Sequence, residues 1–537
     1  MRLIDLIVVS VIFFGIIGSS NECSSQQERF DRVKPGKPPV EPDYTNQLVV
    51  KFRDDIRARS QVGKFVSRSV ETNRIVSELA DLHHVQFEQL IHLDENKIAN
   101  LEAKAFANSG RKQPDLSSMM IIQAPKEELQ QIATKLHDSE FVEWVEFEML
   151  IPEPPCFQDC QDIAPSTPNY QSFQSYRGPN PGLNMDSFWA LGNSQGFGIK
   201  LADCEYWFNG DHEDLCDVTP EPGQTPNPTS ISNGWHHHGT ASLGVTIGGD
   251  NEFGIRGLAP EVDPYFFSEW TIEGGLRRAS AIANAAAALD AGDVVLLEMQ
   301  TSIGFGFGPA ELNASVWTIV RSATDAGVIV VAAAGNGNQN LDSANYNGYS
   351  ARGDSGAIIV GAGSASTGHN KLSFSTFGSR VDVQGWGQSV FTSGYGSFAV
   401  IGGDENQNYI SGFNGTSSAS AMLAGVCVAL QSYAEFQLGR RLTPNEMRLI
   451  LRETGWPQGS GGNIGRFPNM IEAGERILAL GAIPGDVNCD GQVNLLDVEP
   501  FVDLISTGEY SAKADFDEDG VVGLLDVAPF VELLNGN

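Results

Sequence analysis

The spacing of apolar residues changes character along the chain, and each change marks a different kind of structure. Residues 47–52 read as a strand, and residues 65–82 carry apolar side chains at roughly helical spacing. Residues 119–124 read as a strand, 126–136 as a helix and 141–148 as an alternating strand. From residue 183 the pattern shifts to continuous apolar runs, at 198–202, 294–297 and 328–334. Helical stretches at 278–291 and 316–326 lie between these runs. A polar stretch then ends at Gly415, and residues 418–434 are small or apolar with no proline, which predicts a tight turn feeding a buried helix.

These elements predict several units. Residues 45–152 predict a small α+β sandwich of the ferredoxin-like kind, because strand–helix–strand units close with a further strand. Residues 183–480 predict an α/β domain whose parallel sheet is covered by helices on both faces, since only such strands are apolar throughout. Between them, residues 153–182 read as a loop with Pro154, Pro155, Pro165, Pro168, Pro179 and Pro181, a segment open to proteolysis. Residues 21–44 read as a linker. Residues 1–20 read as a signal peptide, with an apolar run at 6–18 before Ser19 and Ser20; an uncleaved membrane anchor is the alternative. Cys23 lacks the small preceding residue that lipidation requires.

Composition narrows the function classes. A chain of 537 residues exceeds one ordinary domain. A net charge of -33 argues against a nucleic-acid partner and suits a secreted protein or one that binds calcium through carboxylates. Seven cysteines leave at least one without an intrachain partner; Cys156/Cys160 and Cys204/Cys216 are close enough in sequence to bridge.

The chemistry-bearing residues lie at element ends. Ser417 falls at the start of the buried helix, where a serine is either a plain cap or a nucleophile whose oxyanion is stabilised on the spot. Trp235-His236-His237-His238-Gly239-Thr240 is a turn feeding a small-residue helix. Three histidines form a candidate metal patch, but no second histidine or cysteine cluster completes a shell, so the expectation is one imidazole, His238, at a helix start with Gly239 clearing space beside it. Asn336 follows the apolar run 328–334, at the edge where parallel sheets build their sites, and its amide is a candidate oxyanion donor. His83-His84 is expected at the surface, and Glu298 at a solvated strand end unless it lines a pocket for basic side chains.

In that order, His238-Gly239-Thr240, Ala334-Gly335-Asn336 and Gly415-Thr416-Ser417-x-Ala419-Ser420 resemble the signature of the subtilisin-like serine peptidases. Phe374-Ser375 and Val381-Asp382-Val383 also resemble that family, over residues 183–480. The preceding α+β unit resembles the family's inhibitory prodomain, most strongly from Ala124 to Glu148. The resemblance implies that Ser417 attacks the scissile carbonyl, that His238 shuttles its proton, and that Asn336 with the Ser417 N–H binds the oxyanion.

The acid departs from the family pattern of Asp-Thr/Ser-Gly. Here the chain reads Ala202-Asp203-Cys204-Glu205-Tyr206-Trp207, followed by His212-Glu213-Asp214-Leu215. Residue type favours Asp203, and spacing to His212 favours Glu205; two apart on a strand, both point to one face. Ala421 stands where the family commonly has proline, and Gln384-Gly385-Trp386-Gly387 where Ala-Pro-Gly is common. A rival reading is a catalytically inactive scaffold, motivated by the irregular acid. A weaker one is the sedolisin class, which has no histidine at the place of His238.

Residues 484–537 hold an internal repeat that reads as two calcium loops. The candidate ligands are Asp486, Asn488, Asp490, Gln492 and Asp497, then Asp515, Asp517, Asp519, Val521 and Asp526, with Gly491 and Gly520 at the sharp turns. The duplication resembles a type I dockerin, an all-α pair of EF-type loops, and implies Ca2+ and a cohesin-like or surface partner. Leu495-Leu496 and Leu524-Leu525 replace the Ser/Thr pair common at the partner-selecting positions. The whole predicts a secreted or surface-associated serine endopeptidase made as a proenzyme, acting on proteins or peptides, without nucleic acid and without a membrane once the signal is removed.

Overall fold

The continuous apolar runs become neighbours in a seven-stranded parallel sheet. Its order is Val383–Trp386, Ile358–Gly363, Ile329–Ala333, Val294–Leu297, Lys200–Glu205, Asp263–Ser268 and Thr219–Pro220. The computed structural model describes residues 47–148 apart from 62 and 92, residues 162–163, residues 166–480 apart from 216, 217 and 252, and residues 484–487, 493–507, 513–514, 516 and 521–536. Successive strand residues face opposite sides, and both sides are buried. Leu201, Leu296, Val331 and Val360 join a core with the helices His236–Ile247 and Gly415–Leu438. Ala202, Cys204, Val295, Leu297 and Val330 join the opposite core with the helices Arg278–Ala288 and Ala314–Asp325. Gly415–Leu438 is long and apolar enough to cross a membrane, but it is the core helix of this domain.

The N-terminal unit is a four-stranded antiparallel sheet, ordered Gln86–Gln89, Met119–Gln123, Gln47–Phe52, Val142–Glu148. One face packs Leu48, Val50 and Phe52 against Val76, Ile132 and Leu136 of the helices Val70–His83 and Leu129–His137. The other face, through Val49, Ile121 and Trp144, is continuous with the core over Arg278–Ala288 and Ala314–Asp325. Helix Glu95–Ser109, which the hydrophobic pattern did not single out, lies at this join with Ile98, Leu101 and Ala105 inward. Polar contacts frame it: Lys104 to Asp290 at 2.9 Å, Arg111 to Asp325 at 2.9 Å and Arg277 to Glu88 at 3.0 Å. Such partly exposed pairs contribute about 0–1 kcal/mol each, against about 1.5–3 kcal/mol for each large apolar side chain buried, so the apolar contact carries the join.

Two expectations change here. The second half of the expected loop 153–182 is part of the large domain. Asp162–Ile163 pairs in parallel with Ala399–Ile401, Tyr176 is fully buried, and Tyr170 packs between Phe391 and Tyr409. The prolines marked turns, but the aromatic residues between them anchor the turns to the core. His83 is buried and its Nδ1 meets Glu128, with Lys135 Nζ 2.8 Å from Nε2, whereas His84 is the exposed left-handed cap of its helix.

In the C-terminal repeat, Phe501 of helix Val498–Thr507 stacks on Phe530 of Val527–Gly536 at 4.2 Å, with Ala514 and Val522 buried beside them. Residues 1–46, 149–161, Cys216, and the candidate ligands Asn488, Asp490, Gln492, Asp515, Asp517 and Asp519 lie outside the described residues.

Candidate active site

The three predicted motifs arrive at one end of the parallel sheet on one of its faces. Glu205 ends its strand, and His238 lies in the first turn of His236–Ile247. A Cβ on Gly239 would fall 2.3 Å from the Trp207 carbonyl oxygen and 3.1 Å from Glu205 Cγ. Only glycine lets the histidine helix approach the end of that strand so closely. Glu205 Oε2 meets His238 Nδ1, and Glu205 Oε1 accepts the Tyr206 N–H at 2.7 Å. The imidazole also lies edge-on to Phe413 at 5.5 Å, and its Nε2 is buried without a hydrogen-bond partner. An Nδ1–H facing Glu205 and a free lone pair at Nε2 fit this arrangement.

Asp203 shares the face of Glu205 but does not reach His238. It is wholly buried, and neither carboxyl oxygen has a hydrogen-bond partner. Burial, then the nearby Glu205, push its pKa well above the ordinary aspartate range, which disfavours its charged form. Glu298 is the third carboxyl of the cluster. The expected solvated strand end is instead a buried side chain, 3.5 Å from His238 Nδ1 and hydrogen-bonded to the Ser242 hydroxyl. Burial, then Asp203 and Glu205, raise its pKa well above the usual value. Ser242 also donates to the His238 carbonyl at 3.0 Å. A hydroxyl has one proton to give, so a protonated Glu298 completes this chain by donating to Ser242. Nothing local in Leu297-Glu298-Met299 signals this burial; the histidine helix, distant in sequence, covers it.

Ser417 is not the cap of its helix. Asn414 occupies that position, Gly415 at φ +89° makes the turn, and Ser417 is the third helical residue, 4% exposed. Its neighbours Ser418 and Ser420 donate to the backbone carbonyls of Trp386 and Thr416, both at 2.9 Å. The departure at Gln384-Gly385-Trp386-Gly387 is thereby given a role. Trp386 accepts from Ser418, and a Cβ on Gly385 would fall 2.5 Å from the Ala419 carbonyl, so this strand lies directly under the serine turn. Ala421 is fully buried within the helix.

Asn336 meets the same turn. Its Oδ1 accepts from the Thr416 N–H at 2.9 Å and the Thr416 hydroxyl at 3.1 Å. Those two donors fix which end of the carboxamide is oxygen and leave Nδ2 as the donor, 3.2 Å from the position a Cβ would take on Gly415. Asn336 thus meets the turn that carries Ser417, and His238, with Glu205 on its Nδ1, lies beside Phe413 just before that turn. Cys204 points to the opposite core and is a free buried thiol, as is Cys427 in the serine helix.

In the C-terminal unit the described candidate ligands are partly engaged. Asp497 accepts from the Asn494 N–H at 2.9 Å. Asp526 accepts from Phe516 N–H at 2.6 Å and Gly523 N–H at 2.7 Å. Asp486 lies 3.2 Å from Lys513 Nζ. All three carboxylates are buried, while Val521 is exposed.

The profile of the subtilase family matches residues 109–469, more than half of the chain. The chain is 31% identical to subtilisin DY of Bacillus licheniformis over 196 residues, 36% of this chain and 63% of that protein. It is 29% identical to alkaline elastase YaB of Bacillus sp. (strain YaB) over 245 residues, 45% of this chain and 57% of that one. The match thus spans about three fifths of the length of these relatives. Thermitase of Thermoactinomyces vulgaris is 28% identical over 281 residues, 50% of this chain and 86% of that protein. Fervidolysin from Fervidobacterium pennivorans, a keratinolytic enzyme related to subtilisin, has the same fold at a TM-score of 0.53, with 15% identity over 82% of this chain and 62% of that one.

Proposed function

This chain belongs to the subtilase family, and from that membership we propose that it is a secreted serine endopeptidase, made as a proenzyme, that hydrolyses peptide bonds through an acyl-enzyme. The observation that carries the reading is the contact of Glu205 with His238 Nδ1. It leaves Nε2 as the one ring nitrogen able to take a proton. His238 accepts the Ser417 proton as Oγ attacks the scissile carbonyl, and Glu205 stabilises the imidazolium that forms. Asn336 Nδ2 and the Ser417 N–H hold the developing oxyanion at the helix N-terminus, where the dipole also favours negative charge. His238 then protonates the leaving amine, and water hydrolyses the ester by the same steps in reverse. Burial disfavours the charged forms of Asp203 and Glu298, and Glu205 is the carboxyl that meets Nδ1, so the acid role falls to Glu205. The inactive-scaffold reading rested on the irregular acid, and a carboxyl against His238 weighs against it.

The N-terminal unit is read as a ferredoxin-like inhibitory prodomain. Its strand order and its packing on the helices Arg278–Ala288 and Ala314–Asp325 support this. Maturation then falls before Asp162, since that residue already pairs with the large domain. The C-terminal pair is read as a dockerin-like calcium module. The buried Asp486, Asp497 and Asp526 give the all-oxygen donor set that Ca2+ prefers, and a bound cation would take over the charge that Lys513 supplies to Asp486. Its partner would be a cohesin-like or surface protein.

The test is labelling with a fluorophosphonate probe. The matured wild type should label and Ser417→Ala should not. Absence of Ser417-dependent labelling would overturn the enzyme reading.

A further inference from the structure

His238 has two histidine neighbours that the proposed chemistry does not use. His236 is buried, its side chain 7% exposed, yet neither ring nitrogen has a hydrogen-bond partner. A buried imidazole ordinarily satisfies at least one nitrogen, because leaving a polar group unpaired costs about 1–3 kcal/mol. His237 is the next residue, and neighbours on a helix normally diverge. Here, at the helix start, the two rings lie 4.2 Å apart, tilted by 36°. Sequence offered no residue to complete a shell around them, but the fold supplies one. Glu405, in the turn Glu405–Gln407, places Oε2 3.5 Å from His236 Nε2. One ligand atom from each of His236, His237 and Glu405 lies within 4.8 Å of the others.

We propose that His236, His237 and Glu405 form a binding site for a divalent transition-metal ion of the zinc class. Two imidazoles and a carboxylate with an open fourth position are a donor set that Zn2+ favours over the hard cations, which take oxygen alone. Tetrahedral coordination at about 2.0–2.1 Å needs ligand atoms about 3.3 Å apart, so the present spacing closes with a small side-chain movement. Glu405 is 57% exposed and free to make it. Both histidines must bind as neutral rings.

The turn that carries Glu405 is already fixed to this region. Asn406 bonds to Asn209 at 2.9 Å and accepts from the Glu213 N–H at 3.0 Å, and His212 Nε2 bonds the Asn408 carbonyl at 2.9 Å. A bound ion would therefore tie this turn to the first turn of the histidine helix, two residues from His238. The other cluster with metal-ligand spacing, Glu205, His238 and Glu298, is excluded because His238 Nδ1 is already engaged by Glu205.

The experiment uses full-length Ser417→Ala, which cannot digest itself, with excess Ca2+ to fill carboxylate-only sites. Titration with Co2+ should give one equivalent of a four-coordinate visible absorption band that Zn2+ displaces. His236→Gln and Glu405→Gln should each weaken binding at least about 10-fold, and Glu205→Gln should leave it unchanged. Glu405 is exposed, so its variant keeps the test valid if His236→Gln fails to fold. No such band, a band indifferent to Glu405→Gln, or a band lost in Glu205→Gln overturns the proposal. The readout is binding, so it stands apart from any failure of the peptidase reading.

Discussion

Glu205 Oε2 lies against Nδ1 of His238, while Asp203, two residues earlier on the same strand face, makes no hydrogen bond through either oxygen. A carboxylate at Nδ1 fixes the imidazole tautomer and stabilises its protonated form, so the two acids should respond very differently to removal of charge. Glu205→Gln keeps the shape but presents an amide, and kcat should fall by about 10⁴-fold, as in other triads that lose the charge and keep the geometry. Asp203→Asn should change kcat by less than about 10-fold, because neither of its oxygens reaches His238 and burial disfavours its charged form. Steady-state hydrolysis of a peptide substrate by both matured variants checks this, and the reverse ranking would make Asp203 the acid.

Asp203 should instead reveal itself in stability. Burial holds it protonated in the folded chain, whereas in the unfolded chain it ionises above about pH 3.9. Between that pH and its raised folded pKa, unfolding releases a proton, so the stability contributed by this residue falls as pH rises. Asp203→Asn removes the effect. The stability difference between variant and wild type should therefore shift in favour of the variant by up to about 1.4 kcal/mol per pH unit across that window. Denaturant unfolding in the Ser417→Ala background, from pH 4 to 8, measures it; a difference independent of pH contradicts it.

Asn336 should act on turnover and not on binding. Its oxygen is committed to Thr416, so its amide is set before substrate arrives. Asn336→Ala should lower kcat by about 10²–10³-fold with KM little changed; that size is taken over from the oxyanion asparagine of a subtilisin. An equal change in KM alone would place the residue in ground-state binding.

Glu146 gives a handle on the N-terminal unit. Its carboxylate accepts from the Ala314 and Ser315 N–H groups, both at 2.9 Å, at the buried start of a helix in the large domain. A carboxylate there contributes about 1 kcal/mol through the cap and the dipole. On the prodomain reading, Glu146→Ala should loosen the contact between the two units by about 5-fold and bring forward the appearance of activity in a maturation time course. An unchanged lag would mean that the apolar contact alone governs release.

Much of this site was legible because its chemistry is local. Gly239, Asn336 and Gly415-Thr416-Ser417 each need a particular backbone or side chain at one element end, and that need is written in consecutive residues. The choice between Asp203 and Glu205 was not, since both face one side of the strand and only the reach to a distant helix separates them. Glu298 and the pairing of His236 with Glu405 depend on the same remote packing. Helix Glu95–Ser109 was recoverable: Asp94 caps it, Gly110 ends it, and Ile98, Leu101 and Ala105 mark its buried face. The second half of the proline-rich segment was misread because turns and burial are independent; Tyr170 and Tyr176 were the signal.

Calcium should be required by the C-terminal unit and by nothing in the proposed chemistry. Position twelve of each loop is aspartate, Asp497 and Asp526, and each now caps backbone N–H groups of its own loop. The described core of this unit is small, resting on Phe501, Ala514, Val522 and Phe530. A unit of this size is marginal on its own core, and its buried carboxylates give a bound cation a place to add stability. Chelation of the full-length Ser417→Ala protein should therefore abolish a separate thermal transition and part of the helical circular dichroism, and Asp497→Ala or Asp526→Ala should do the same in the presence of Ca2+. In wild type, Ser417-dependent probe labelling should persist through chelation. Unchanged melting and circular dichroism on chelation would remove the calcium assignment, and lost labelling would instead place a needed cation in the large domain.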